Sequence, residues 1–202
     1  MNFKDLFKIA YRLISSPAKA WEEIIVSKKS AWWFVFSMMM MACFANFIGS
    51  AISSIASARD FNPLVWFNGA LGVCCVPFFA DFFGFFIASW LLRKADSGLF
   101  GHKSQNNQLS LLAGYSMTVV FVLQIIEGLI NPIFQDFMLL KYILQFYIIY
   151  VVWEGVKVMH IASAKRYLSY TVVTSFIILV SVWVVGEMYS IAYTCLSVKF
   201  FK

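Results

Sequence analysis

Five apolar stretches, approximately residues 31–52, 64–92, 109–130, 138–159 and 170–195, fill most of this 202-residue chain. Each reaches the roughly 20 residues that an α-helix needs to cross a hydrocarbon core about 30 Å thick. Folded as a globule in water, five such helices would have no polar faces left for solvent. The chain therefore reads as an all-α integral membrane bundle of five transmembrane helices, preceded by amphipathic interfacial helices. Only 13% of its residues are charged, against roughly 25% in soluble domains, which leaves too few to clothe a water-soluble surface. The reading divides the chain into a cytoplasmic amphipathic pre-membrane segment, 1–30, and the transmembrane bundle, 31–202.

Orientation follows from Lys and Arg, which concentrate in short cytoplasmic loops. Lys4, Lys8, Arg12, Lys19, Lys28 and Lys29 precede the first stretch, Arg93, Lys94 and Lys103 follow the second, and Lys157, Lys165 and Arg166 close the fourth. Only Arg59, Lys141, Lys199 and Lys202 fall on the other side. The expected topology has a cytoplasmic N-terminus and a C-terminus on the far side. The net charge of +6 suits a bilayer with anionic headgroups. A nucleic-acid partner is not expected, because there is no basic stripe or binding module. Lys4, Asp5, Lys8 and Arg12 interrupt the apolar run that a cleavable signal requires, so the first stretch is expected to act as the insertion signal.

Within residues 3–14, Phe3, Leu6, Phe7, Ala10, Leu13 and Ile14 recur at helical spacing. The charged residues lie on the other side, so the helix is expected in the headgroup plane with its apolar face towards lipid. Ser16-Pro17 predicts a second helix start, with Ser as N-cap and Pro at the first helical position. Pro17, Ala20, Trp21, Ile24 and Ile25 form its apolar side. These two helices either pack on the cytoplasmic rim of the bundle or offer a docking surface to a protein partner. Ala42, Ala45, Gly49 and Ser53 in the first stretch, and Ala80, Gly84 and Ala88 in the second, predict close helix approach; self-association is compatible with the same pattern. Pro77 removes the helical hydrogen bond to Val73 and predicts a kink. Residues 95–108 read as a polar cytoplasmic loop and Asn131-Pro132 as a turn.

Ionisable groups inside spans are costly and face the bundle interior. Asp81 lies roughly 16 Å from the cytoplasmic end of its span at 1.5 Å per residue. Glu154 and Lys157 share one helical face, with Tyr147 and Tyr150 along it and His160 a turn beyond. Gln124 sits one turn inside Glu127. The candidate intramembrane polar site is accordingly Asp81, Glu154, Lys157, His160, Tyr115 and Gln124. Asp81 reads either as a structural carboxyl or as a proton or cation site on a translocation path. Glu127 and Glu187 read as solvated helix ends. Neither H-E-x-x-H, G-x-S-x-G nor a P-loop is present, so no catalytic residue is assigned and no enzyme activity is expected. His102 and His160 lack further ligands at metal-binding spacing, and no metal or cofactor is expected. Cys43, Cys74, Cys75 and Cys195 form no C-x-x-C pair and read as small apolar fillers.

Three segments carry a family resemblance. Ser15 to Ile24, with Pro17 and Trp21, resembles the Pro-x-x-x-Trp pre-membrane motif of the YIP-domain family. Gly114-Tyr115-Ser116 is similar to its small-Tyr-Ser signature, although Thr118-Val119-Val120 stands where the family often has a Pro. Trp153 to Lys165, with His160, Ser163 and Ala164, resembles the region ahead of its last span. The resemblance implies a five-span bundle with a cytoplasmic N-terminus, and a bacterial-type member in the inner or plasma membrane. The leading functional expectation is a non-enzymatic scaffold, adaptor or bilayer-organising protein. The alternative is a small-solute, ion or lipid transporter that uses a buried carboxylate near the midplane.

Overall fold

A computed structural model describes residues 3–27, 30–57, 63–101, 104–130 and 137–200. The Asn131-Pro132 turn, His102 and the cations Lys28, Lys29, Arg59, Lys103 and Lys202 lie outside the described residues. Among the described residues every regular element is helical: α1 (Phe3–Ser15), α2 (Pro17–Ser27), α3 (Ala31–Ser57), α4 (Pro63–Gly98), α5 (Asn106–Ser116), α6 (Thr118–Ile130), α7 (Phe137–Gln145), α8 (Tyr147–Val158), a 3-10 turn at Ala164–Arg166, and α9 (Tyr167–Phe200). Four helical runs among the described residues are long and apolar enough to cross a membrane: Ala31–Ser53, Gly69–Gly98, Asn106–Ile130 and Ala164–Cys195.

The remaining expected span, 138–159, is instead built from two helices, α7 and α8, which meet at Phe146. There the N–H groups of Phe146 and Ile149 bond the carbonyls three residues back, Ile143 at 3.2 Å and Phe146 at 3.0 Å. Such tighter turns mark a local break in α-helical geometry. A smaller irregularity joins α5 to α6. The Thr118 hydroxyl donates to the Tyr115 carbonyl at 2.6 Å, and the Met117 N–H is shared between the Ala113 and Tyr115 carbonyls.

α1 departs from the expected lipid-facing arrangement, and α1 and α2 both pack on the bundle, as the rim alternative expected. Leu6, Ile9, Ala10 and Leu13 of α1, and Trp21 and Ile24 of α2, are buried in the protein core. α1 packs on α2 and α6, and α2 packs on α8. The physical reason is visible at Trp21. Its indole N–H donates to the Val151 carbonyl at 2.9 Å, a partner that acyl chains cannot supply. Phe7 and Tyr11 of α1, 54% and 73% exposed, and Ile25 and Val26 of α2 keep apolar edges outside. Lys8 at 3.3 Å and Arg12 both pair with Glu23, tying α1 to α2. Burial pushes the Glu23 carboxyl up, but the hydrogen bonds and charges of Arg12 and Lys8 outweigh it and hold it below its ordinary value. The ion pairs therefore contribute at neutral pH and are lost as pH falls through that lowered value. Exposure keeps the contribution small.

The membrane core rests on two close crossings. At the α3–α6 crossing, a Cβ on Gly49 would fall on the Gly128 carbonyl oxygen. At the α4–α9 crossing, a Cβ on Gly84 would lie 3.0 Å from a Val182 methyl and 3.1 Å from the Val182 Cα. α4 continues unbroken through Pro77. α8 stops at His160, whose φ of +52° is left-handed. The Ile161 N–H then reaches back to the Val156 carbonyl at 3.3 Å, the Schellman pattern of a helix C-terminus.

Gly49→Ala should destabilise the fold by about 1–3 kcal/mol, because backbone cannot move aside as a flexible side chain can. The midpoint of thermal unfolding in detergent should fall, whereas Phe44→Leu on the outer face of α3 should leave it nearly unchanged. An unaltered midpoint in Gly49→Ala would contradict the crossing.

Candidate functional site

The small residues that bring α3 against α6 also leave space beside the crossing. A cleft of about 630 Å³ opens among five helices. Asn46, Gly49, Ser50 and Ser53 line it from α3, and Gly69, Gly72, Val73, Val76 and Pro77 from α4. Gln124, Glu127 and Gly128 of α6, Lys141 of α7, and Ser190 and Tyr193 of α9 complete it. Its size falls within the range of small-molecule sites, roughly 300–1,000 Å³. These residues occupy the C-terminal portions of α3, α6 and α9 and the N-terminal half of α4. The cleft thus lies at the end of the bundle opposite Arg93, Lys94, Lys165 and Arg166.

Exposure falls with depth. Ser53, Gly69 and Ser190 are exposed at the mouth, whereas Asn46 and Gln124 are each 8% exposed at the floor. Glu127 and Lys141 face one another at 2.6 Å, with side chains 25% and 20% exposed. One helical turn deeper, the Gln124 amide nitrogen donates to an Asp81 carboxylate oxygen at 3.2 Å. Asp81 is 1% exposed. The Gln124 amide oxygen is buried and has no hydrogen-bond partner. The Asn46 side-chain oxygen lies against Gly128, 2.6 Å from where a Cβ would stand. Gln124 and Glu127 project into one space because their i, i+3 spacing puts them on one face of α6. Val73 and Pro77, whose ring removes the N–H that the Val73 carbonyl would otherwise accept, form part of the α4 wall.

Of the sequence-predicted polar set, the structure brings together Asp81 and Gln124. Gly49 and Pro77, expected to serve packing and bending, also line this cleft, and Gly84 does not. Glu154 pairs with Lys157 at 3.5 Å on α8, outside the cleft. His160 is the exposed left-handed residue that ends α8. Tyr115 lies in an aromatic cluster, its ring stacked on Phe34 at 4.4 Å and meeting the edge of Trp21 at 6.1 Å. Trp21 also lies where a Cβ on Gly155 would come within 2.7 Å. The three segments that carry the family resemblance therefore converge on packing, with Pro17 starting the helix that delivers Trp21.

Sequence reasoning missed three contributors. Glu127 was expected as a solvated helix end, and Lys141 as a far-side charge; together they form the ion pair of the cleft. A lone Lys inside an apolar stretch, with an acidic partner in the preceding span, was the available signal. Asn46, on the small-residue face of α3, was a weaker one. Asp96 is also buried, at 2% exposure. It accepts the Ser104 N–H at 2.8 Å and the Tyr170 hydroxyl at 3.1 Å. With Arg166 bonding the Phe100 carbonyl at 3.0 Å, it fastens the end of α4 to the start of α9.

Lys141→Met should strand the Glu127 carboxylate and cost about 1–3 kcal/mol of stability. Adding Glu127→Gln should restore most of that loss, which a double-mutant cycle of thermal midpoints would read. Additive losses would show that the pair is not coupled.

A family model described as the Yip1 domain matches residues 11–186. No curated protein and no solved structure matches the chain.

Proposed function

The chain belongs to the Yip1 domain family, and we propose that this member binds a small polar solute in the far-end cleft and carries it across the bilayer, without enzymatic chemistry. The observation that supports this reading is the floor of the cleft, where Gln124 links a water-accessible space to the buried carboxylate of Asp81. Discontinuous or proline-bearing helices with polar groups near the midplane are a common way to build transport sites. α4 runs unbroken through Pro77 and carries Asp81 about one turn beyond it.

The scaffold or adaptor reading rests on the basic cytoplasmic face, the lack of a catalytic set, and the helices α1 and α2. Most of their apolar surface is taken up by the bundle, which leaves less for a partner than the sequence implied. The exposed edge of Phe7 and Tyr11 beside Lys4 and Lys8 still favours contact with anionic headgroups or a cytoplasmic partner. In this proposal the N-terminus is cytoplasmic, so the cleft faces the opposite side.

The test is flux of labelled small amines and amino acids into liposomes that contain the full chain. Asp81→Asn should lower flux at least about tenfold, a change of roughly 1.4 kcal/mol in the barrier. Glu154→Gln, outside the cleft, should not. Wild-type flux no greater than that of empty liposomes for the whole panel, with partner capture that depends on Phe7 and Tyr11, would transfer the assignment to the scaffold.

A further inference from the structure

The floor of the cleft is rich in acceptors and short of donors. The Gln124 nitrogen is turned to Asp81, and its oxygen has no donor although the side chain is more than nine-tenths buried. The Asn46 oxygen is close by, against Gly128. Two carboxylates, Asp81 and Glu127, stand against one ammonium group, Lys141, which is already engaged with Glu127. With both carboxylates ionised, the set carries one uncompensated negative charge. Uncompensated charge in a low-dielectric interior is expensive. An anion would find Lys141 already engaged by Glu127 and two carboxyl groups beside it, and a neutral solute would leave an ionised Asp81 uncompensated. A cation removes both deficits at once. The Tyr193 ring, on the α9 wall against Gly72, adds a surface that attracts positive charge.

We propose that the floor of the cleft, between Asn46, Gln124 and Glu127 with Asp81 behind them, binds a single positive charge. Its chemistry is that of a primary ammonium group or a bare monovalent cation. This rests on the solute-binding reading and names the charge of its ligand. A primary ammonium supplies three N–H donors to the oxygen-rich floor. An alkali cation would draw the same oxygens as ligands.

The experiment uses the full chain in detergent at constant ionic strength, with tetramethylammonium chloride as the balancing salt because that cation is bulky and has no N–H. Methylammonium chloride or sodium chloride then replaces it stepwise while Tm is recorded. A saturable rise in Tm is expected, since a ligand that binds only the folded state stabilises it. Gln124→Leu should weaken the apparent affinity about tenfold or more, and Glu154→Gln should leave it unchanged. A rise with methylammonium alone identifies the ammonium group; a rise with sodium identifies a bare cation; either supports the site. Because Gln124→Leu could disturb folding, Ser50→Cys provides a second readout in a protein whose native cysteines are replaced. Its reaction with a thiol reagent should slow when the binding cation is present. No rise with either cation and no protection of Ser50→Cys would overturn the proposal. So would a rise of equal affinity in a folded Gln124→Leu protein. Cation binding without flux would sink translocation and leave this site standing. Flux of an anionic or neutral solute, indifferent to both cations, would sink this site and leave translocation.

Discussion

Hydrocarbon offers no hydrogen bonds, so a polar group placed along these helices must find its partner inside the bundle. That constraint accounts for most of the long-range polar contacts. Asp81 meets Gln124, Glu127 meets Lys141, and Asp96 meets Tyr170 and Ser104. Trp21 and Tyr147 reach backbone carbonyls, Val151 on α8 and Ile14 at the end of α1. All but the Asp96–Ser104 bond join different helices, and together they fix which helix neighbours which. Ser89, Thr171, Ser175 and Ser181 on the buried faces of α4 and α9 have hydroxyls with no partner. They act there chiefly as small side chains that let the two helices approach.

Close approach and the cleft have one origin. Gly49 and Gly128 let α3 and α6 touch backbone to backbone. Where side chains are that small, the neighbouring turns cannot fill the space among α4, α7 and α9, and polar groups line what remains. The break at Phe146 contributes, because α7 brings Lys141 to the wall of the cleft. The aromatic cluster of Phe34, Tyr115 and Trp21 closes the other end of the bundle around fully buried rings. The molecule thus has a tightly packed end and an end opened by a polar cleft.

Much of this was legible in the residues. Apolar length predicted the helical membrane architecture, Ser16-Pro17 predicted the start of α2, and the Gly49 and Gly84 faces predicted the two crossings. The Pro-x-x-x-Trp and Gly-Tyr-Ser segments pointed to the family that the match over residues 11–186 establishes. The cleft was only half legible. Asp81 and Gln124 stood out as polar groups in apolar runs, but their pairing depends on how α4 and α6 rotate, and periodicity does not encode that. Glu154, Lys157 and His160 read either as a rim ion pair with a snorkelling Lys or as part of the polar site. In the structure Glu154 and Lys157 pair at i, i+3 near the end of α8 and His160 takes a left-handed backbone just after it, outside the cleft. Residues 138–159 have the length of a span, yet Lys141, Gln145 and the aromatic run at Phe146-Tyr147 admit a break that a hydropathy count does not register.

Solute binding and transport both require a water-accessible space that enters from the end remote from the N-terminus and reaches the Gln124 floor. The most direct measurement is substituted-cysteine accessibility in oriented vesicles, with Cys43, Cys74, Cys75 and Cys195 replaced. A membrane-impermeant thiol reagent on the side opposite the N-terminus should modify Ser53→Cys quickly and Asn46→Cys more slowly, and should leave Phe44→Cys on the lipid-facing side of α3 unreacted. Asn46→Cys and Ser53→Cys that react only from the N-terminal side, or that are as inert as Phe44→Cys, would contradict it.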